Sequence, residues 1–316
     1  MGKREQFLFE HYRQNLKRLL EVDSRLKIHP DRDDIVICPL CFDKYFTLED
    51  IENGNLTAEH VPPHKLGGKV DMLTCRDCNN NQGASLDSHL IEYIRSLDAL
   101  HGTGPTYVDG IASGEDTGEF RVEFRTVADQ RWELLGVPKA SNPKHIDNFT
   151  KGFLSRDFRF NLKLLLPNPS RGRLGLIRAA YLIAFRYLGY GFLVNMNLGV
   201  LRYQFRNPQE DVDPIQSVLF PFAQPDDFLG INVISSPSNM KCYFVVFDVQ
   251  AEKGLARRAG VMLPGPNGRD AQMFRDMESF HGTTITINHF DIDFSDKLEM
   301  PRLAHAIWNT VGTTDS

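Results

Sequence analysis

Cysteine is scarce in this sequence, with five among 316 residues. That is too few for the disulfide framework of a small secreted domain, and an odd count argues for a reducing compartment. The first twenty residues, MGKREQFLFEHYRQNLKRLL, scatter charge through any stretch that could be an apolar signal core. No secretory signal is therefore expected, and the location expected is cytoplasmic. Gln6 stands where a myristoylation site wants Ser or Thr, so Gly2 carries no lipid signal. Long apolar runs are nearly absent too. One stretch, AAYLIAFRYLGYGFLVNMNLGVL at 179–201, approaches membrane length, but Arg186 is costly in lipid and Gly189-Tyr190-Gly191 breaks the run. It reads as a buried helix, a turn and a strand, and no membrane partner is expected. Internal repeats and low-complexity tracts are missing. Basic charge is not in excess: 36 Lys and Arg face 41 Asp and Glu. This excludes a histone-like or tail-driven nucleic-acid binder and leaves a local site open.

What is present divides along the chain. An apolar fraction of 41% and a charged fraction of 24% describe an ordinary globular protein, and the length suits two domains. Residues 1–34 form an amino-terminal helical extension, with Phe7, Leu8, His11, Leu16, Leu19 and Leu20 toward one side of a helix over 5–27. Residues 35–100 form a compact unit. Its short strands, DIVIC, GNLTAEH and VDMLT, lead into a helical pattern carrying Leu86, Leu90, Tyr93, Ile94 and Leu97 on one face. The stretch 101–118 is rich in Gly and small polar residues and reads as a linker. Residues 119–316 mix strand-like EFRVEFRTV, KCYFVVFDV, GVML and TTITINHF with helical RLGLIRAAYLIAFRYLG and MPRLAHAIWNTV, which makes the class α+β. Lone Cys242 sits in one of these strands as a small hydrophobe.

Four of the five cysteines lie in two pairs, Cys38-x-x-Cys41 and Cys75-x-x-Cys78. Each pair brings two thiolates to one ion, and two pairs complete the four-sulfur tetrahedron of structural zinc; thiol redox chemistry is the alternative. Four sulfur ligands leave no position for water, so such a zinc holds the fold and does no chemistry. Between the pairs lie Glu59-His60, and Asn79 follows the last cysteine directly. A carboxylate, an imidazole and an amide oxygen could thus meet across a strand–loop–strand–helix unit. Hard oxygens suit Mg²⁺ or Mn²⁺, and an uncharged imidazole beside them can take a proton from water.

The combination CPLC … LTAEHVPP … GG … LTCRDCNNNQG over roughly residues 35–95 resembles the HNH endonuclease family. The resemblance implies a zinc-stapled ββα-metal domain that hydrolyses DNA phosphodiester bonds. It implies His60 as general base, Glu59 and Asn79 as ligands of a catalytic Mg²⁺ or Mn²⁺, and Cys38, Cys41, Cys75 and Cys78 as zinc ligands. Glu59 replaces the more usual Asp, and Asp71 lies nearest the position of the Asn that orients the base. His64 is a candidate second imidazole or phosphate contact, His89 reads as structural, and Gly67-Gly68 permit a turn.

From Arg121 to Arg178 there are 12 Lys and Arg against 5 Asp and Glu, with aromatics interleaved in KGFLSRDFRFNLKL. This is the composition of a surface that tracks phosphates and stacks on bases, with Arg156, Arg159 and Lys163 as candidate DNA contacts; a merely solvated face is the alternative. The zinc-stapled unit is expected to fold by itself and the second region to grip DNA. That second region is also open to a homo-oligomer or a regulatory partner. The leading reading is a nuclease of phage defence or of a mobile element, and the alternative is an inactive zinc-stapled module that binds nucleic acid or protein.

Overall fold

The computed structural model describes residues 2–22, 34–114, 117–127, 131–154, 158–194, 198–210, 217–220 (backbone only), 228–236, 240–265 and 286–290. Helix α1 (Lys3–Val22) opens the chain and buries Leu8, Phe9, Tyr12, Leu16 and Leu19, while Phe7 stays exposed. Strands β1 (Val36–Ile37) and β2 (Tyr45–Phe46) form a minimal antiparallel pair flanking the first Cys-x-x-Cys. A short helix α2 (Leu48–Glu52), held by reciprocal Thr47 and Asp50 capping bonds, turns the chain into β3 (Leu56–Val61). β3 pairs antiparallel with β4 (Lys69–Cys75), and α3 (Arg76–Gln82) follows without a loop. A π-helical turn (Gly83–Asp87) joins α3 to α4 (Ser88–His101).

Residues 101–118, read as a linker, contain the strand β5 (Val108–Gly114). With β6 (Phe120–Thr126), β7 (Trp132–Gly136) and β8 (Phe160–Leu164) it builds an antiparallel sheet of order β7-β6-β5-β8. Helix α5 (Pro143–Phe153), started by Asn142 capping the Lys144 N–H and by proline in its first turn, packs Phe149 onto this sheet. Phe120, Phe149, Phe158 and Phe160 form its aromatic core, and Trp132 and Phe153 remain largely exposed beside it. Arg159 and Lys163 are exposed at and beside β8; Arg156 lies outside the described residues.

Helix α6 (Pro169–Leu193) is the hub. Its apolar length is buried on every side, between α1 and α4 on one hand and a five-stranded antiparallel sheet on the other. That sheet has the order β13 (Thr286–Phe290), β10 (Gly230–Ser236), β11 (Cys242–Val249), β12 (Arg257–Leu263), β9 (Ser217–Phe220). Cys242 is fully buried in β11, as expected. Close approach of α6 to α4 needs small residues: a Cβ on Gly172 would stand 2.8 Å from Tyr93 Cβ, and one on Gly175 2.8 Å from Leu90 Cβ. Gly189 kinks the helix at φ 60°, where a side chain would strike Asn15, whose Oδ1 accepts from the Tyr190 N–H. The strand expected after this point is instead helix α7 (Leu198–Arg206), whose Leu198, Leu201 and Phe205 bury one helical face. Among the described residues no helix is long and apolar enough to cross a membrane. The helix expected over MPRLAHAIWNTV lies outside the described residues.

One hydrophobic core runs from Leu8 through Leu40, Leu86, Leu90 and Ile94 to α6 and on to Val245 and Val261. The expected independence of the first hundred residues conflicts with this continuity. A chain ending at His101 would expose Leu86, Leu90 and Ile94, all fully buried here, and burying each is worth about 1.5–3 kcal/mol. We expect that fragment to show no cooperative melt by circular dichroism in the presence of zinc; a sharp transition near that of the full chain would disprove the dependence.

Candidate active site

The knuckle is set by three short pieces of backbone. Cys38 and Cys41 sit in the turn between β1 and β2, Cys75 ends β4, and Cys78 lies in the first turn of α3. The four Sγ atoms lie within 4.8 Å of one another and all four residues are buried. Zinc–sulfur bonds of about 2.3 Å in a tetrahedron need sulfurs roughly 3.8 Å apart, so the cluster suits zinc without rearrangement. Backbone donors already point inward: the Cys75 N–H is 3.3 Å from Cys38 Sγ, and the Cys78 N–H is 3.4 Å from Cys75 Sγ. Hydrogen bonds from Cys38, Cys41 and Cys78 pull the Cys75 thiol far below its ordinary range. The bond with Cys38 leads in lowering Cys41 to about 5, and burial pushes Cys38 well up. A divalent cation takes all four as thiolates. Two tyrosines of α6 brace the knuckle, Tyr181 donating to the Pro39 carbonyl (2.6 Å) and Tyr190 to that of Ile37 (2.7 Å).

The hairpin above the knuckle is bulged. Glu59 pairs with Met72 but His60 pairs with Val70, so Asp71 is the extra residue of β4. His60 is half-buried; its ring meets that of exposed His64 edge to face at 5.1 Å between centroids. The described hydrogen bonds include none to either imidazole. In the hairpin loop Gly67 takes φ 88°, and Gly68 lies so close to the Pro62 carbonyl that no Cβ fits. These glycines thus close the loop on itself. Asn79 is pinned next to Cys78, and its Nδ2 donates to Thr57 Oγ1 (3.0 Å) and the Ala58 carbonyl (3.2 Å). A carbonyl can only accept, so the amide orientation is fixed and Oδ1 stays out of these bonds.

The two acidic candidates are differently placed from what their motif suggests. Glu59 is buried, with Oε1 accepting from Arg178 Nη2 (3.1 Å) and Oε2 from Thr74 Oγ1 (3.0 Å). Asp71 does not reach His60: Arg4 donates to its Oδ1 (2.9 Å) and Arg186 to its Oδ2 (2.7 Å). The bulge frees Asp71 to meet α1 and α6, and two guanidiniums hold a carboxylate more strongly than one imidazole. Asp71 as the group orienting the base is therefore corrected to a tie between β4, α1 and α6. Arg178, Gln82 and Asp87 belong to this site although the motifs did not point to them. A charge inside the apolar pattern LGLIRAAYLI was the available signal, since a fully buried arginine always has partners. Burial pushes the Asp87 carboxyl up to about 6, against the pull of Arg178 and with a further push from Glu59. A raised carboxyl favours its protonated form in the fold, so what Asp87 contributes to stability is present in acid and lost as pH rises through about 6. Elsewhere His89 Nε2 lies 3.2 Å from Arg171 Nη1 in a structural contact between α4 and α6.

Replacing Cys75 by Ser removes one thiolate ligand while leaving a hydroxyl that can still cap α3. We expect loss of bound zinc by elemental analysis and unfolding of the knuckle and hairpin, because the binding energy of such a site is largely folding energy. Folded wild-type protein without zinc would refute the site.

A family model described as HNH endonuclease matches residues 45–94, which span the hairpin, the second cysteine pair, α3 and half of α4. Neither the curated proteins nor the solved structures contain a match to the chain. The first cysteine pair and Arg178 fall outside the matched stretch, yet complete its knuckle and its ion pair. With a four-cysteine metal cluster at the foot of a strand–strand–helix unit, residues 45–94 form an HNH endonuclease domain set within a larger α+β chain.

Proposed function

We propose that this protein is an endonuclease that hydrolyses DNA phosphodiester bonds with His60 as general base. The observation that carries the reading is the His60 imidazole, free of hydrogen bonds among the described residues, standing beside His64 on a hairpin tied to the cysteine knuckle. Water loses its proton to His60 as its oxygen bonds to phosphorus; the bond from phosphorus to the 3′-oxygen breaks, and that oxygen takes a proton from solvent. His64 is the second imidazole, donating to a phosphate oxygen, and the Asn79 side-chain oxygen, outside the bonds its nitrogen makes, is left to accept a further bond. Such an enzyme would serve as an effector of phage defence or of a mobile element, acting in the cytoplasm.

The divalent ion that the family resemblance implies, Mg²⁺ or Mn²⁺, does not fit the residues first expected to hold it. Both oxygens of Glu59 are engaged by Arg178 and Thr74, and Asn79 alone offers one neutral oxygen. The same engagement favours a second reading, an inactive zinc-stapled module that binds nucleic acid or a protein.

His60→Ala separates the two. We expect plasmid cleavage, assayed with Mg²⁺ and with Mn²⁺, to fall by about 10²- to 10⁴-fold, with zinc content and melting temperature unchanged. Cleavage at the parent rate would move the base elsewhere, first to His64; no cleavage by the parent in either ion would favour the binding module.

DNA is gripped, on this proposal, by the β5–β8 lobe, where Arg159 and Lys163 are exposed at and beside β8. Arg156 is carried with them from the sequence. Arg159→Glu with Lys163→Glu should weaken DNA binding at physiological salt. It should also flatten the salt dependence by about 0.9 in the log–log slope for each phosphate no longer neutralised. An unchanged slope would place the grip on another face.

A further inference from the structure

The ion expected on Glu59 has a rival already inside the protein. Arg178 donates through Nη2 to Glu59 Oε1 at 3.1 Å, through Nη1 to both oxygens of Asp87 at 3.1 Å, and through Nε to Gln82 Oε1 at 2.9 Å. Every nitrogen of the guanidinium thus has an oxygen partner, and the three partners come from β3, the π turn and α3. Two carboxylates and an amide carbonyl are also the kind of hard oxygen set that a divalent ion takes. Ion and guanidinium would compete for the same lone pairs, and an ion on Glu59 would stand against a fixed positive charge with little water between. Arg178 has no easy exit: it is 1% exposed, on a core helix drawn close by Gly172 and Gly175.

We propose that Arg178 is the resident cation of this site, a positioning residue that holds Glu59, and through it β3 and His60, so that Glu59 is not a metal ligand. The proposal deepens the nuclease reading and relies on it for the meaning of His60. Its content, however, is a statement about metal binding, which can be measured without DNA and without turnover.

The test titrates zinc-loaded full-length protein with Mn²⁺ in the absence of DNA, reading free Mn²⁺ by electron paramagnetic resonance. Glu59→Gln keeps an acceptor for Arg178, and we expect it to match the parent's Mn²⁺ affinity within about twofold. Arg178→Met vacates the convergent oxygens; it should gain a Mn²⁺ site at least tenfold tighter than any in the parent, and adding Glu59→Gln or Asp87→Asn should abolish the gain. A tenfold or greater loss of Mn²⁺ affinity in Glu59→Gln with Arg178 intact would overturn the proposal, as would a folded Arg178→Met protein with no new site. If zinc content and melting show that Arg178→Met does not fold, the Glu59→Gln comparison decides alone. Failure of plasmid cleavage would sink the nuclease reading and leave the Mn²⁺ titration intact, so the two can fail separately.

Discussion

A guanidinium at 1% exposure is the constraint around which this molecule is arranged. Taking an arginine out of water costs several kcal/mol unless each of its donors finds an acceptor, and removing one partner of such a buried pair typically costs about 3–5 kcal/mol. Arg178 finds its acceptors on three separate pieces of the HNH unit, Glu59, Gln82 and Asp87. None of those groups is adjacent in sequence to α6, and each would lose its arginine partner if α6 were absent. Burial of the charge therefore ties two regions that look separable in the sequence into one folding unit, and it adds a direction that apolar packing alone lacks. The glycines at 172 and 175 serve the same end, since only a close helix lets the arginine reach.

The knuckle and the arginine act at different points along the same hairpin. Four sulfurs fix Cys75 and Cys78, and so fix where β4 ends, where α3 begins and where Asn79 stands. Arg178 fixes the middle of β3 at Glu59. His60 comes next in the strand, where the bulge changes the register, and the residues that hold the hairpin make no hydrogen bond with its ring. On the proposed reading a general base at His60 benefits from this separation, because rigidity comes from neighbours while none of the described residues bonds to its ring.

The parts of this arrangement visible in the sequence were those governed by local spacing. Two Cys-x-x-Cys pairs announce a metal because a tetrahedral ion demands that spacing, and Leu86, Leu90 and Ile94 announce a helix face that the core indeed buries. What could not be read were pairings across long separations. Glu59 and Arg178 lie 119 residues apart, and Asp71 and Arg186 115 apart. A motif read locally gives an acidic residue beside a histidine to a metal, since nothing within the motif shows a competing cation. Local reading also failed where tertiary context decides between elements. The stretch after Gly191 has apolar residues that suit a strand, yet Leu198, Leu201 and Phe205 use a helical period to face α6. The glycine-rich 101–118 has the composition of a linker, yet Gly110 is wanted in β5 because a Cβ there would stand 3.1 Å from Val122.

The pairings around the hairpin also settle its charge, and this bears on what can approach it. Glu59, Asp71 and Asp87 are three carboxylates on and beside the hairpin, a poor surface to offer a polyanion if left free. In the fold they meet Arg178, Arg186 and Arg4, so three negative charges face three positive ones. Two of those arginines belong to α6, one holding each strand of the hairpin, with Arg178 on β3 and Arg186 on β4. On the proposed reading, the helix that completes the core also offsets negative charge that would repel phosphate from the hairpin. The first hundred residues are acidic in composition, with 13 Lys and Arg against 17 Asp and Glu, and α6 supplies two of the arginines that offset it. The physical dependence of the site on α6 is thus electrostatic as much as structural, and one helix meets both demands because its two arginines stand about two turns apart on a single buried element.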